Sequence, residues 1–240
     1  MNFAPDLLKT LAGAKRIVIL AGAGLSKASG VPTFRDAQTG LWANFRPEDL
    51  ATREAFERDP ATVWRWYAWR RELVARAEPN AGHQAIAQWQ KRANVTVVTQ
   101  NVDGLLQRAD GQAIEYHGNL FVNRCLQTHR VLSDDEWTHG EPPTCTATGA
   151  YVRPGVVWFG EAIPSDAMAA ADEAAQSADV LLSVGTSSLV YPAAGLAEMA
   201  LRAGAVLVEI NPEPTPLSSL ADHRLEGPAE QVLPALLQAI

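Results

Sequence analysis

Gly22-Ala-Gly-Leu-Ser-Lys-Ala-Ser-Gly-Val-Pro-Thr-Phe-Arg35 follows directly on the apolar run Arg16-Ile-Val-Ile-Leu-Ala21. The run reads as a buried parallel strand. A strand that enters Gly-Ala-Gly has to turn tightly and leaves backbone amides bare. Bare amides at the start of a helix attract an anion, because the unpaired N–H groups and the helix dipole both favour negative charge. Pro32-Thr-Phe-Arg35 then adds a rigid turn, a ring and a permanent cation. That exceeds what a phosphate cradle needs and points to chemistry beside the phosphates.

Outward from this stretch, further apolar runs occur at Val95–Thr99, Val156–Phe159, Val180–Gly185 and Ala205–Ile210, and Ser165–Ser177 and Ala193–Arg202 have helical character. Such alternation predicts a parallel sheet covered by helices. Ligands of these sheets bind beyond the carboxyl ends of the strands, where strand order reverses. The informative residues fall at predicted strand ends: Gly22–Arg35, Gln100–Asp103, Gly185–Ser187 and Asn211–Glu213. Two stretches break the alternation. Asp36–Pro79 is rich in Trp and charge, with helical spacing over Val63–Arg76, and Asn119–Arg153 is polar and holds both cysteines. They are expected to form a smaller second domain.

The 240 residues suffice for one large domain or a domain with an appendage. No apolar run nears 18 residues, so no membrane span is expected. The first residues lack the pattern of a signal peptide, which gives a cytoplasmic address as the expectation. A net charge of −7 argues against a nucleic-acid groove. Two cysteines are too few for a disulfide framework.

The dinucleotide fingerprint of dehydrogenases is incomplete, because Lys27 stands where its third glycine belongs and no acidic residue ends a second strand about 20 residues on. The blocks that are present resemble another family. Gly22-Ala-Gly-x-Ser-x-x-Ser-Gly-Val-Pro-Thr-Phe-Arg35, Thr99-Gln-Asn-Val-Asp-Gly-Leu105, His117-Gly118, Val156-Val-Trp-Phe-Gly-Glu161, Gly185-Thr-Ser187 and Asn211-Pro212 resemble, in order and spacing, the sirtuins, NAD-dependent protein-lysine deacylases. The resemblance implies an α/β fold: a Rossmann-like parallel sheet domain with a smaller inserted second domain, a degenerate zinc-ribbon lobe plus a helical segment. The large lobe is expected over about 1–35, 80–118 and 154–240 and the small lobe over about 36–79 and 119–153 of one catalytic unit, 1–240.

What the resemblance implies for each residue follows from the chemistry. The acyl-lysine carbonyl oxygen attacks C1′ of the nicotinamide ribose as nicotinamide leaves. A ribose hydroxyl, deprotonated by a base, then attacks the acyl carbon, and with loss of lysine and addition of water the products are free lysine and 2′-O-acyl-ADP-ribose. His117 is the implied base, because imidazole ionises near neutrality, and Asn101 the residue orienting ribose and water. NAD is the implied co-substrate. Its implied contacts are Gly22, Ala23, Gly24, Ser26, Thr33, Phe34 and Arg35 in the first block and Gln100, Val102 and Asp103 in the second. Gly185, Thr186, Ser187, Asn211, Pro212, Glu213 and Ala229 complete them on the adenosine side. Val157, Phe159, Gly160, Glu161 and Val190 resemble the two edges between which an acylated peptide lies as an added strand.

Tyr67 and Arg70 stand three apart, so on a helix they share a face. A phenol beside a guanidinium suits a carboxylate. Tyr-x-x-Arg, with the small Ala51 and with Thr33, resembles the sirtuin branch that removes succinyl, malonyl and glutaryl groups. The alternatives are a general lysine deacetylase and a non-catalytic NAD or ADP-ribose sensor. Where the family has two Cys-x-x-Cys pairs on a structural zinc, this chain has Cys125-Leu-Gln-Thr128 and Cys145-Thr-Ala-Thr148. Threonine does not replace a thiolate, so the expectation is no metal site and a lobe without zinc. The expected state is a monomer with acylated-lysine proteins as partners, without nucleic acid or membrane.

Overall fold

The computed structural model of the protein describes residues 1–32 and 46–240. In chain order these form α1 (Pro5–Gly13), β1 (Ile17–Ala21), α2 (Pro47–Leu50), α3 (Arg53–Arg58), α4 (Pro60–Arg76), α5 (Ala81–Gln90), β2 (Val95–Thr99), α6 (Leu105–Arg108), β3 (Ile114–Glu115), β4 (Gly118–Cys125), β5 (Val131–Leu132), β6 (Val152–Val156), α7 (Ser165–Ser177), β7 (Val180–Val184), α8 (Ala194–Arg202), β8 (Val206–Asn211), β9 (His223–Glu226) and α9 (Ala229–Ala239). Thr33, Phe34 and Arg35 lie outside the described residues. Contacts sort the chain into two compact units: Met1–Thr33, Glu78–Tyr116 and Pro164–Ile240 in the first, Phe34–Ala77 and His117–Ile163 in the second.

The first unit is a six-stranded sheet in the order β3-β2-β1-β7-β8-β9, with every pairing parallel. By position in the chain these are the third, second, first, fourth, fifth and sixth strands of the sheet. That is the doubly wound order, which reverses between β1 and β7. All residues of β1 and β7 are buried, which explains why both read as continuous apolar runs rather than alternating ones. Leu7 and Leu11 of α1, Ile86 and Trp89 of α5, and Val232, Leu233 and Leu236 of α9 share one core with Ile19, Val97, Leu182 and Val208. Burying side chains of this size stabilises the fold by about 1.5–3 kcal/mol each.

The second unit carries α3, α4 and a three-stranded antiparallel sheet in the order β5-β4-β6. Here the structure corrects one expectation. The run Val156–Phe159 is not a strand of the parallel sheet. The strand is Val152–Val156, and it pairs antiparallel with β4, while Phe159 makes an isolated bridge to Thr52. A short apolar run has the same appearance in either setting, and only its partner distinguishes them. For the same reason His117–Ile163 falls as one block in the second unit, although His117, Gly118 and 154–163 were expected in the large lobe. Among the described residues no helix is long and apolar enough to cross a membrane.

Candidate active site

In the first unit the loops after β1, β2, β7 and β8 are tied to one another. The Gly22 amide donates to the Val184 carbonyl at 2.9 Å and the Gly24 amide to the Gly185 carbonyl at 2.8 Å. A Cβ on Gly24 would stand 2.7 Å from Gly185 Cα, and Gly185 itself has φ +58°. The glycines are therefore required by the close approach of the two loops that flank the sheet reversal. This refines the sequence reading. The Gly24 amide is committed to Gly185, whereas the Ala23 amide donates to no backbone carbonyl among the described residues.

Polar side chains continue the tie. Asn101 Nδ2 donates to the Gly22 carbonyl at 3.1 Å and to Ser26 Oγ at 3.2 Å. Gln100 Nε2 donates to Thr186 Oγ1 at 3.1 Å, and Asn211 Nδ2 to the Thr186 carbonyl at 2.8 Å. Gly22, Gly24, Ser26, Gln100, Asn101, Gly185, Thr186 and Asn211 thus meet through four strand ends. Val102 and Ser187 are half-buried beside them, Ala229 is buried at the start of α9, and Pro212 and Glu213 are exposed in the loop after β8.

A buried network under this site includes a residue that the sequence reading left without a role. His83 is 1% exposed. Its Nδ1 accepts from the Asn80 amide at 3.2 Å, which places the imidazole proton on Nε2, 3.3 Å from Ser26 Oγ. Ser26 Oγ in turn donates to Asp103 Oδ2 at 2.7 Å, and Asp103 Oδ1 accepts from the Leu105 amide at 2.9 Å. Burial pulls the His83 imidazole down to about 4, with Asp103 opposing, so the ring is neutral at pH 7. The hydroxyl of Ser26 thus ties the strand-end loops to Asp103 and α5. The signal for His83 was Asn80-x-x-His83, a capping box at the start of α5.

The second unit holds His117 and the residues around Tyr67. The Val157 amide donates to the His117 carbonyl at 2.9 Å. Gly118 has φ +77°, and a Cβ there would lie 2.1 Å from the Gly155 carbonyl oxygen. The backbone of the His-Gly pair is thus seated, and His117 is half-buried. Tyr67, on α4, is 4% exposed, and burial lifts its phenol to about 12 against the opposing charge of Arg70. The phenol keeps its proton at every physiological pH. The Arg70 guanidinium lies 5.1 Å from the centre of the Trp66 ring. Its neighbour Arg71 is spent on structure: Nε donates to the Leu120 carbonyl at 2.7 Å and Nη2 to Asn123 Oδ1 at 2.8 Å. Ala51 is buried and its carbonyl accepts from the Phe159 amide at 2.9 Å. Phe159 and Gly160 are exposed, while Glu161 is paired with Arg153. Val190 is exposed in the first unit between Leu189 and Tyr191.

The cysteine lobe does not fit a structural zinc. Cys125 and Cys145 are buried in an apolar cluster with Trp64, Leu132 and Val152. Cys125 Sγ is 3.4 Å from Thr148 Oγ1, a hydroxyl where a third thiolate would be needed. Burial raises the Cys125 thiol, but hydrogen bonds from Thr128 and Thr148 outweigh it and hold the thiol below its usual range. Among the described residues no group of three or more His, Cys, Asp or Glu side chains could hold a metal ion.

Polar residues gathered at the strand ends of a doubly wound sheet, at its reversal, define a nucleotide-binding α/β protein. The family follows from comparison with known proteins. The Sir2 family model matches residues 22–192. The chain is 52% identical over 225 residues to the NAD-dependent protein deacylase of Ralstonia nicotianae, covering 93% of this chain and 92% of the relative. It is 48% identical over 231 residues to the NAD-dependent protein deacylase of Mycolicibacterium paratuberculosis, covering 94% and 98%. It is also similar to a crystal structure of a Sir2 homologue–NAD complex, with a TM-score of 0.91 and 42% identity over 99% of this chain and 93% of the other. The protein belongs to the Sir2 family.

Proposed function

We infer that this protein is an NAD-dependent protein-lysine deacylase and that it prefers acyl groups ending in a carboxylate. The first part rests on the family and on the network in which Asn101 is fixed between the Gly22 carbonyl and Ser26 Oγ. NAD is the co-substrate that this strand-end site suits. Ala23, Gln100, Asn101, Asp103 and Asn211 bind and orient it, and Thr33, Phe34 and Arg35 keep the roles that the resemblance implies. His117 accepts the proton of the ribose hydroxyl that captures the acyl group.

The acyl preference rests on Tyr67 and Arg70, one turn apart on α4 and electrostatically coupled. A protonated phenol donates one hydrogen bond to a carboxylate, and a guanidinium adds a charge-assisted one. Such an arginine contact contributes about 1.5–3 kcal/mol, roughly 10- to 100-fold in preference. Acylated-lysine proteins are the partners in this reading. A monomer in a cytoplasmic setting belongs to the same proposal, supported by the acidic charge of −7 and the two free thiols. The test is incubation with NAD and matched acetyl- and succinyl-lysine peptides. Peptide-dependent nicotinamide release, faster with succinyl, is the expected result. Release independent of any acyl peptide, or none, contradicts it.

A further inference from the structure

Tyr67 Oη accepts a hydrogen bond from Trp158 Nε1 at 2.9 Å. An indole N–H can only donate. A phenol has one proton to give, and here a fixed donor occupies one of its lone pairs, so that proton cannot be directed at the indole. Hydrogen bonds in a chain also polarise one another, which makes the phenol a better donor to its next partner. The indole is held on both levels, its ring by two groups and its backbone by a third. The Arg153 guanidinium lies 3.4 Å from the ring centroid, and the Phe56 ring packs against it with centroids 5.3 Å apart. The Trp158 amide donates to Glu161 Oε2 at 2.9 Å, and that carboxylate is held by both terminal nitrogens of Arg153.

A plainer reading is that Tyr67 only satisfies a buried indole. Two other buried indole nitrogens, those of Trp66 and Trp137, have no hydrogen-bond partner among the described residues. Burial in this fold therefore does not by itself require the Trp158 pairing.

We propose that Trp158 is a specificity-determining positioning residue, its indole N–H fixing the Tyr67 phenol as a hydrogen-bond donor to the carboxylate of an acidic acyl group. The proposal rests on the acyl preference inferred above. Arg153 acts through Trp158 by packing on its ring, and Glu161 by holding its backbone amide and Arg153.

The experiment is a double-mutant cycle on kcat/KM with succinyl- and acetyl-lysine peptides, using Trp158→Phe, Tyr67→Phe, the double variant and Arg70→Met. Trp158→Phe is expected to lower the succinyl value roughly 3- to 10-fold, the worth of one neutral hydrogen bond, and to leave the acetyl value within about 2-fold. In the Tyr67→Phe background the same change should cost nothing further on succinyl. Equal losses on both peptides, or a succinyl loss that persists without the phenol, overturn the proposal. Should Trp158→Phe not fold, the indole N–H resonances of the wild type decide. One indole signal should shift in Tyr67→Phe and should also shift on binding succinyl peptide but not acetyl peptide; no such signal overturns the proposal. Arg70→Met separates the two levels of the argument. A selective succinyl loss there with an unselective Trp158→Phe sinks the proposal alone, whereas equal losses in Arg70→Met sink the acyl preference and this inference with it.

Discussion

The two units organise their chemistry-bearing residues by different means. In the first, side chains at the ends of parallel strands hold one another by hydrogen bonds, and the buried members, Ser26, His83 and Asp103, are mutually satisfied. In the second, the residues assigned to the acyl group adjoin a cluster of edge-on and tilted rings, Trp66, Tyr67, Trp158 and Phe56, braced by the Arg153–Glu161 pair. The first arrangement suits a ligand of fixed shape such as a dinucleotide. The second sets a few polar atoms among apolar rings, the arrangement on which the proposed acyl preference rests.

Cutting one residue from each unit sharpens the comparison. His117→Ala is expected to have the largest effect, a loss of about 10²- to 10⁴-fold in turnover on every acyl peptide, the usual worth of a general base. A thermal midpoint measured alongside separates loss of the base from loss of the fold. Turnover within a few-fold of the wild type would remove the base assignment.

The first unit should respond to pH in a way that the second does not. The His83 imidazole is at about 4 in the folded protein and near 6.5 in the unfolded chain. Between those values the unfolded chain binds the extra proton, so stability falls as pH drops from 6.5 towards 4, by up to about 3 kcal/mol. His83→Gln removes this contribution. Denaturant unfolding at a series of pH values should show a shallower acid slope in the variant. Parallel slopes in the two proteins would contradict the buried neutral imidazole.

The smallest effect is expected in the cysteine lobe. A strong chelator should leave thermal midpoint and activity unchanged, since the Cys125 and Cys145 cluster lacks a zinc donor set. A drop of several degrees on chelation would show that a metal supports this lobe.

The same contrast explains what could be read from the sequence. β1, β2, β7 and β8 are runs buried on both faces, and the site residues of the first unit follow them at once, so apolar runs and turn residues located both. β9, His223–Glu226, was missed because an edge strand with alternating partly exposed polar residues carries no apolar run. The run Val156–Phe159 was assigned to the parallel sheet, whereas only Val156 lies in a strand, β6, whose partner β4 could not be read from the run itself. His83 escaped because it meets Ser26 across 57 residues, and the Trp158–Tyr67 bond spans 91. Local pattern does not encode such pairings, whereas the Tyr67–Arg70 spacing on α4 is local and was legible.

The most direct measurement of the central claim is NAD-dependent deacylation by wild type and Arg70→Met, with succinyl- and acetyl-lysine peptides of one sequence. The account predicts a fall in succinyl kcat/KM of roughly 10- to 100-fold in the variant, with the acetyl value changed little. Losses of equal size on the two peptides would contradict it.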